Sequence, residues 1–317
     1  MTQVVVDRHA AAAGTEGFLR QQRPRHAERV VKAVLFLAAL VSVATTVGIV
    51  VSLFYPAAQF FSAVPLKQFL FGTTWSPTFN DPQFGVVPLV LGTLLATLIA
   101  SIVALPLGLG SAIYLSEYAH PKARSVLKPT LEVLAGIPTV IYGFFALTFF
   151  TPVLRWIIPG DEIPTIYNTL SAGLIMGVMI IPTVASLSED AMAAVPQGLR
   201  AGAFALGSSL RQVSTGVVVP AALSGIAAAF ILGISRAIGE TMIVVLAAGL
   251  QPNMSLNPLQ FHETMTAFIA STAGGDIATG TTIYKTIFAV GALLFVFTFV
   301  MNMLSIRLVR KYREVYE

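Results

Sequence analysis

Residues 199–240 read LRAGAFALGSSLRQVSTGVVVPAALSGIAAAFILGISRAIGE. The first part is a run of small residues, with Ala201, Gly202, Ala203, Ala205 and Gly207 inside one short segment. Side chains this small let another surface approach the backbone closely. Gly207 is followed by nine residues and then by Val217-Val218-Val219-Pro220, so a polar stretch is closed by an aliphatic run and a proline. The second part is an apolar segment that carries a charged pair, Arg236 and Glu240. A polar loop with a close-contact surface therefore leads directly into a long apolar helix.

That helix is not isolated. Hydrophobic residues make up 56% of the 317-residue chain and charged residues 11%, against about 45–50% and about 25% in soluble domains. The chain reads as a polytopic membrane protein. A span needs about 20 apolar residues, and six segments qualify: 31–54, 87–114, 127–150, 169–187, 221–248 and 283–305. The expected domains are a basic, poorly ordered leader (1–30), a membrane domain (31–310) containing the loop 188–220, and a short tail (311–317). The leader lacks the apolar core and cleavage site of a signal peptide. Lysine and arginine collect on the cytoplasmic side of membrane proteins. With six spans, fifteen of them fall on one side, including Lys122, Arg124, Lys128, Arg200 and Arg211, and only Lys67, Arg155 and Lys285 on the other. Both termini and the 188–220 loop are thus expected in the cytoplasm. The net charge of +4 follows from this topology and does not call for nucleic acid. Two long segments, 55–86 and 251–282, are expected outside, where they could receive a docking protein.

Catalytic chemistry is missing. The chain has no cysteine, and its four histidines show no ligand spacing, so no metal and no other cofactor is expected. No lysine follows a glycine, which excludes the phosphate-cradling Gly-Lys-Ser/Thr loop. The chain is not expected to be an enzyme.

Arg236 and Glu240 lie four residues apart and would share one face of a continuous helix. Charges within spans are costly and usually face a bundle interior or a water-filled path. Two readings follow. Arg236 could line an anion pathway, its planar fork of donors suiting oxyanions, with Glu240 holding it in place. Alternatively, the two form a structural ion pair between packed helices. Thr241 adds polar surface at the same level. In the third span Pro138 forces a kink, beside which Thr139 and Tyr142 could point inward. Gly173 and Gly177 form a small-residue helix contact.

Taken together, these motifs resemble the binding-protein-dependent inner-membrane permeases of ABC importers, in particular the PstC-type subunit of phosphate importers. The resemblance covers roughly residues 84–310. The family pattern is Glu-Ala-Ala, three residues, Gly, nine residues, aliphatic-x-Leu-Pro; here Ala201 stands in place of the Glu. Arg236-Ala237-Ile238-Gly239-Glu240-Thr241-Met242, Tyr142-Gly143-Phe144-Phe145 and Leu115-Ser116-Glu117-Tyr118-Ala119 also match. The resemblance implies an all-α permease of six spans with the type I ABC importer fold. It implies a homologous PstA-type permease, two copies of a separate ATPase subunit, an extracytoplasmic phosphate-binding protein, and phosphate as substrate. The loop would rest in a groove of the ATPase. Phe204 and Leu206 would give apolar contact, Arg200 and Arg211 rim charge, and Ala201, Gly202, Ala203, Gly207 and Pro220 the close-fitting frame, with Glu117 bracing the loop helix. A PstA-type role, another oxyanion, or a stand-alone ion-coupled carrier or channel are the alternatives.

Overall fold

The computed structural model describes residues 26–158 and 166–311. The expectations for the leader and the tail fall largely outside these residues. The helices are α1 (His26–Ala63), α2 (Leu66–Phe71), α3 (Val87–Ile113), α4 (Pro121–Ala135), α5 (Thr139–Phe145), α6 (Thr151–Ile157) and α7 (Thr169–Ala193). They continue with α8 (Gln197–Ala205), α9 (Leu210–Val213), α10 (Val219–Ala221), α11 (Leu223–Ile238), α12 (Met242–Ala247), α13 (Met265–Ala273) and α14 (Thr282–Lys311). A two-stranded hairpin, β1 (Trp75–Ser76) against β2 (Gln83–Phe84), is antiparallel, with Trp75 opposite Phe84.

Among the described residues, five helical stretches are long and apolar enough to cross a membrane: Glu28–Ala63, Val87–Tyr118, Thr139–Ile157, Thr169–Ala193 and Thr282–Arg307. A sixth is a bent pair, Leu210–Ala221 and Leu223–Ile238, meeting at 72°. The chain divides into two units at Ser52. The described part of the first is the opening of α1, whose Leu35, Phe36 and Val41 are exposed, as suits a helix facing lipid.

The second unit is built on α3 and α7, which pack side by side and run in the same direction. A Cβ on Gly173 would sit 2.8 Å from Ile99, one on Gly177 2.9 Å from the Ala100 carbonyl, and one on Gly108 2.7 Å from Val184. Position advances along both helices together, so they are parallel, and glycine is what lets their backbones meet. Ala96, Ala100, Met176, Met179, Ile180 and Val184 form the buried core between them, closed by Ile243 and Val244 of α12. At the ends where α3 and α7 begin, α2 and the hairpin fold over α13. The Trp75 ring meets Phe268 edge-on at 4.8 Å, and Phe60, Phe69 and Phe84 complete an aromatic cap. At the opposite, basic end, Ala112, Met192, Val195, Val213, Val218 and Ile226 pack together.

Three boundaries differ from the sequence expectation. The expected third span at 127–150 is two helices: α4 stops at Ala135, and α5 starts after Pro138. Proline lacks an amide donor and drives its predecessor out of helical geometry. The expected span 221–248 is α11 and α12, separated at Gly239–Thr241. At the other end of α11, the chain bends at Ala222, two residues past Pro220. Just before it, residues 214–218 are wound as a π-helix, as are 114–118 and 146–150.

Candidate functional site

The break after α11 organises the first candidate site. Ile238 ends the helix and Gly239 follows it. Glu240 is 8% exposed. Its Oε1 accepts from the amides of Met242 (3.0 Å) and Ile243 (3.3 Å), so the carboxylate caps the first turn of α12. The Glu240 carbonyl accepts from Thr266 Oγ1 of α13 at 2.7 Å. The expected Arg236–Glu240 pair is therefore not formed. Its four-residue spacing needs a continuous helix, and the helix ends two residues before Glu240. Arg236 Nη1 instead donates to Thr183 Oγ1 of α7 at 3.0 Å, and among the described residues Arg236 makes no ion pair.

The pathway candidates on the third span reach the same region. A Cβ on Gly143 would lie 3.0 Å from the Met242 carbonyl, so α5 packs directly on α12. Tyr142 is within electrostatic reach of Arg236. Its hydroxyl donates to the Leu134 carbonyl at 3.0 Å, across the Gly136–Pro138 break. Thr139 opens α5 and Thr241 precedes α12; both are half-buried. The structure thus brings together Arg236, Thr183, Tyr142 and the capped start of α12. Thr183 and Thr266 carry no sequence signal beyond being polar residues in apolar helices.

The second candidate site is the loop at the basic end. α8 is followed by Leu206 and by Gly207, whose φ is +83°. A Cβ on Gly207 would meet nothing within 4 Å in this chain. Glycine is favoured there by backbone conformation, and the open space beside it leaves room for another surface to approach. Ser209 and Gln212 then form a capping box that starts α9. Leu206 is 89% exposed, and Phe204, Ala201, Gly202, Arg211 and Pro220 are also exposed, while Ala203 is half-buried.

Arg200 departs from its expected role. It is 8% exposed and turned into the chain. Nη2 donates to Glu117 Oε1 at 3.0 Å and to the Met192 carbonyl at 2.8 Å, and Nη1 donates to the Val195 carbonyl at 2.6 Å. It ties the last turn of α7 to the start of the following segment through these two carbonyls, so it supplies no rim charge; Arg211 remains on the surface. Glu117 does lie against the loop helix, as a brace would.

Beside this loop, Glu189 of α7 has a fully buried side chain that accepts from Arg124 and, at 2.6 Å, from Lys128 of α4. Lys128 also reaches Asp190 at 2.6 Å. Hydrogen bonds to Asp190 and Glu189 push the Lys128 ammonium above its usual range. These partners lie some sixty residues apart in sequence and carry no local signal. At the other end, buried His262 bridges Thr169 Oγ1 (2.7 Å) and the Ser255 carbonyl (2.6 Å). Burial pushes the neighbouring Glu263 carboxyl up to about 8. Among the described residues no cluster of His, Asp and Glu could hold a metal.

Residues 104–314 match the family model for the binding-protein-dependent transport system inner membrane component. The chain belongs to that family. This permease is 34% identical to a probable ABC transporter permease protein YqgH of Bacillus subtilis over 279 residues, 87% of this chain and 89% of the relative. It is 33% identical to a phosphate transport system permease protein PstC of Xylella fastidiosa over 264 residues, 77% and 80% of the two chains. Among solved structures, a chain of the MetNI methionine ABC transporter superposes with a TM-score of 0.53 at 20% identity, covering 73% of the permease and 95% of that chain. A chain of a bacterial alginate ABC transporter gives 0.58 at 16% identity, covering 92% and 100%. The fold is that of type I ABC importer permeases, and the protein is a multi-pass membrane permease subunit of an ABC transporter.

Proposed function

We propose that this permease is the PstC-type half of an ATP-driven phosphate importer. The observation that carries the reading is the similarity, over about four-fifths of their length, to permeases named for phosphate transport. The chemistry of the break after α11 supports it. Arg236 is half-buried in a span with no carboxylate partner among the described residues. A guanidinium without a counter-charge in a membrane domain is a favourable contact for an oxyanion. Thr183 fixes one nitrogen and leaves the rest of the fork for ligand. Tyr142 and Thr241 lie around the same break, Thr139 opens the helix that packs on it, and Glu240 shapes it through its cap.

In this reading a PstA-type permease supplies the other half of the path. Two ATPase subunits dock below the permease pair, one of them at Phe204, Leu206 and the frame around Gly207 of this chain, and a phosphate-binding protein docks on the outer segments. Both termini and the basic end face the cytoplasm, and the ATPase subunits carry the nucleotide chemistry. The family membership removes the stand-alone carrier. Another oxyanion remains as an outcome of the test.

The test is ATP-driven uptake of labelled phosphate by the reconstituted complex, with complex yield measured separately. Arg236→Lys keeps the charge but loses the fork. We expect unchanged yield and uptake reduced about tenfold or more, the scale of a lost hydrogen bond to a charged group. Unchanged uptake removes Arg236 from the pathway. Uptake of sulfate in preference to phosphate reassigns the substrate.

A further inference from the structure

We infer that Arg200 and Glu117 form the link through which displacement of the α8 loop reaches α3 and α7. The inference rests on the reading of that loop as the ATPase contact. Glu117 closes the π-wound end of α3, and Arg200 lies in the first turn of α8. Both side chains are almost out of solvent, at 5% and 10% exposure. The guanidinium is held on three sides. It reaches Glu117 through Nη2 at 3.0 Å and through Nε at 3.4 Å, and it reaches the carbonyls of Met192 in the last turn of α7 and of Val195 just beyond it. Ser116 Oγ donates to the same Glu117 oxygen at 2.8 Å and fixes it from behind.

The surroundings make this pair the directed connection. On its outward side α8 is open: Gly198 and Gly202 have no neighbour within 4 Å of an added Cβ, and Phe204 and Leu206 are exposed. Pro196 precedes the helix, so the chain between α7 and α8 has no continuous helical hydrogen bonding to carry force. The contact at Ala203 is apolar and therefore non-directional. A buried, multidentate ion pair has one geometry and resists both shear and separation. Because α3 and α7 meet backbone to backbone, a pull on either moves both. Arg200 and Glu117 are positioning residues; neither contacts substrate.

The test uses the reconstituted complex and reads substrate imported per ATP hydrolysed. Glu117→Gln keeps the size and one acceptor, and Arg200→Lys keeps the charge. We expect both variants to assemble and the transport-to-ATP ratio to fall about fivefold or more, the scale of a typical coupling between sites. An unchanged ratio in assembled Glu117→Gln or Arg200→Lys complexes overturns the inference. Loss of assembly in both single variants overturns it too, since the pair is then only structural. A cysteine at the exposed Leu206, unique in a chain without cysteine, separates this from failure of the loop assignment. If Leu206→Cys does not cross-link to the ATPase subunit in the parent complex, the loop is not the contact. A cross-link together with an unchanged ratio refutes the link alone.

Discussion

Replacing Glu240 discriminates between two accounts of a charge inside a membrane domain. In the structure its carboxylate caps α12 through the amides of Met242 and Ile243, in an environment where the residue is 8% exposed. Glu240→Ala leaves both amides without an acceptor. An orphaned buried donor costs about 1–3 kcal/mol. The first turn of a six-residue helix can recover some of that by fraying, so the expected loss is about 2–4 kcal/mol. Glu240→Gln keeps a carbonyl oxygen at the same reach and loses only the charge assistance, for about 1 kcal/mol. An intrahelical pair with Arg236 would behave differently. Either substitution would strand the arginine and cost about 3–5 kcal/mol. The assay is the thermal midpoint of the detergent-purified complex for the parent, Gln and Ala forms. The cap predicts a clear gap between Gln and Ala. Equal losses for the two would refute the capping argument and restore the ion pair.

Two further outcomes follow from other sites. At Gly207, where φ is +83°, Gly207→Ala should cost about 1–2 kcal/mol of loop stability from left-handed strain and lower ATP-linked transport. Gly207→Asn should be milder, since asparagine tolerates that region; a larger effect of Asn than of Ala would mean that bulk at an intermolecular contact decides. At Glu263 the folded carboxyl titrates near 8 against 4.5 when free. The folded state then holds a proton that the unfolded state has lost, so stability falls as pH rises from about 4.5 to about 8, by up to about 1.4 kcal/mol per pH unit. Glu263→Gln should flatten that slope, and a slope that persists in the variant assigns it to another group.

The membrane class and the loop's place at the basic end were legible because both rest on local quantities, apolar length and charge distribution. Glycine spacing in α7 likewise pointed to a helix contact, which Gly173 and Gly177 make. The failures share a cause. Arg236 and Glu240 look paired because a residue count assumes unbroken winding. What breaks it is an acceptor that prefers the amides ahead of it and a hydroxyl, Thr266, arriving from twenty-six residues away. Arg200 looks like surface charge because its neighbours in sequence are exposed, and only the fold brings Glu117 to it across eighty-three residues. The clamp of Arg124 and Lys128 on Glu189 was illegible for the same reason. The break at Gly136–Pro138 did carry a signal, a glycine and a proline two apart, and it separates two helices instead of kinking one.

The parallel run of α3 and α7 has an electrostatic consequence. Antiparallel neighbours cancel their peptide dipoles; these two add. Each long helix presents about half a negative charge at its C-terminus, and both termini lie at the basic end. Arg200 bonds directly to the Met192 carbonyl in the last turn of α7, while Arg124 and Lys128 pair with Glu189 one turn earlier. Arg200, bonded at once to Glu117 and to the last turn of α7, therefore sits where the field created by the helix arrangement is strongest.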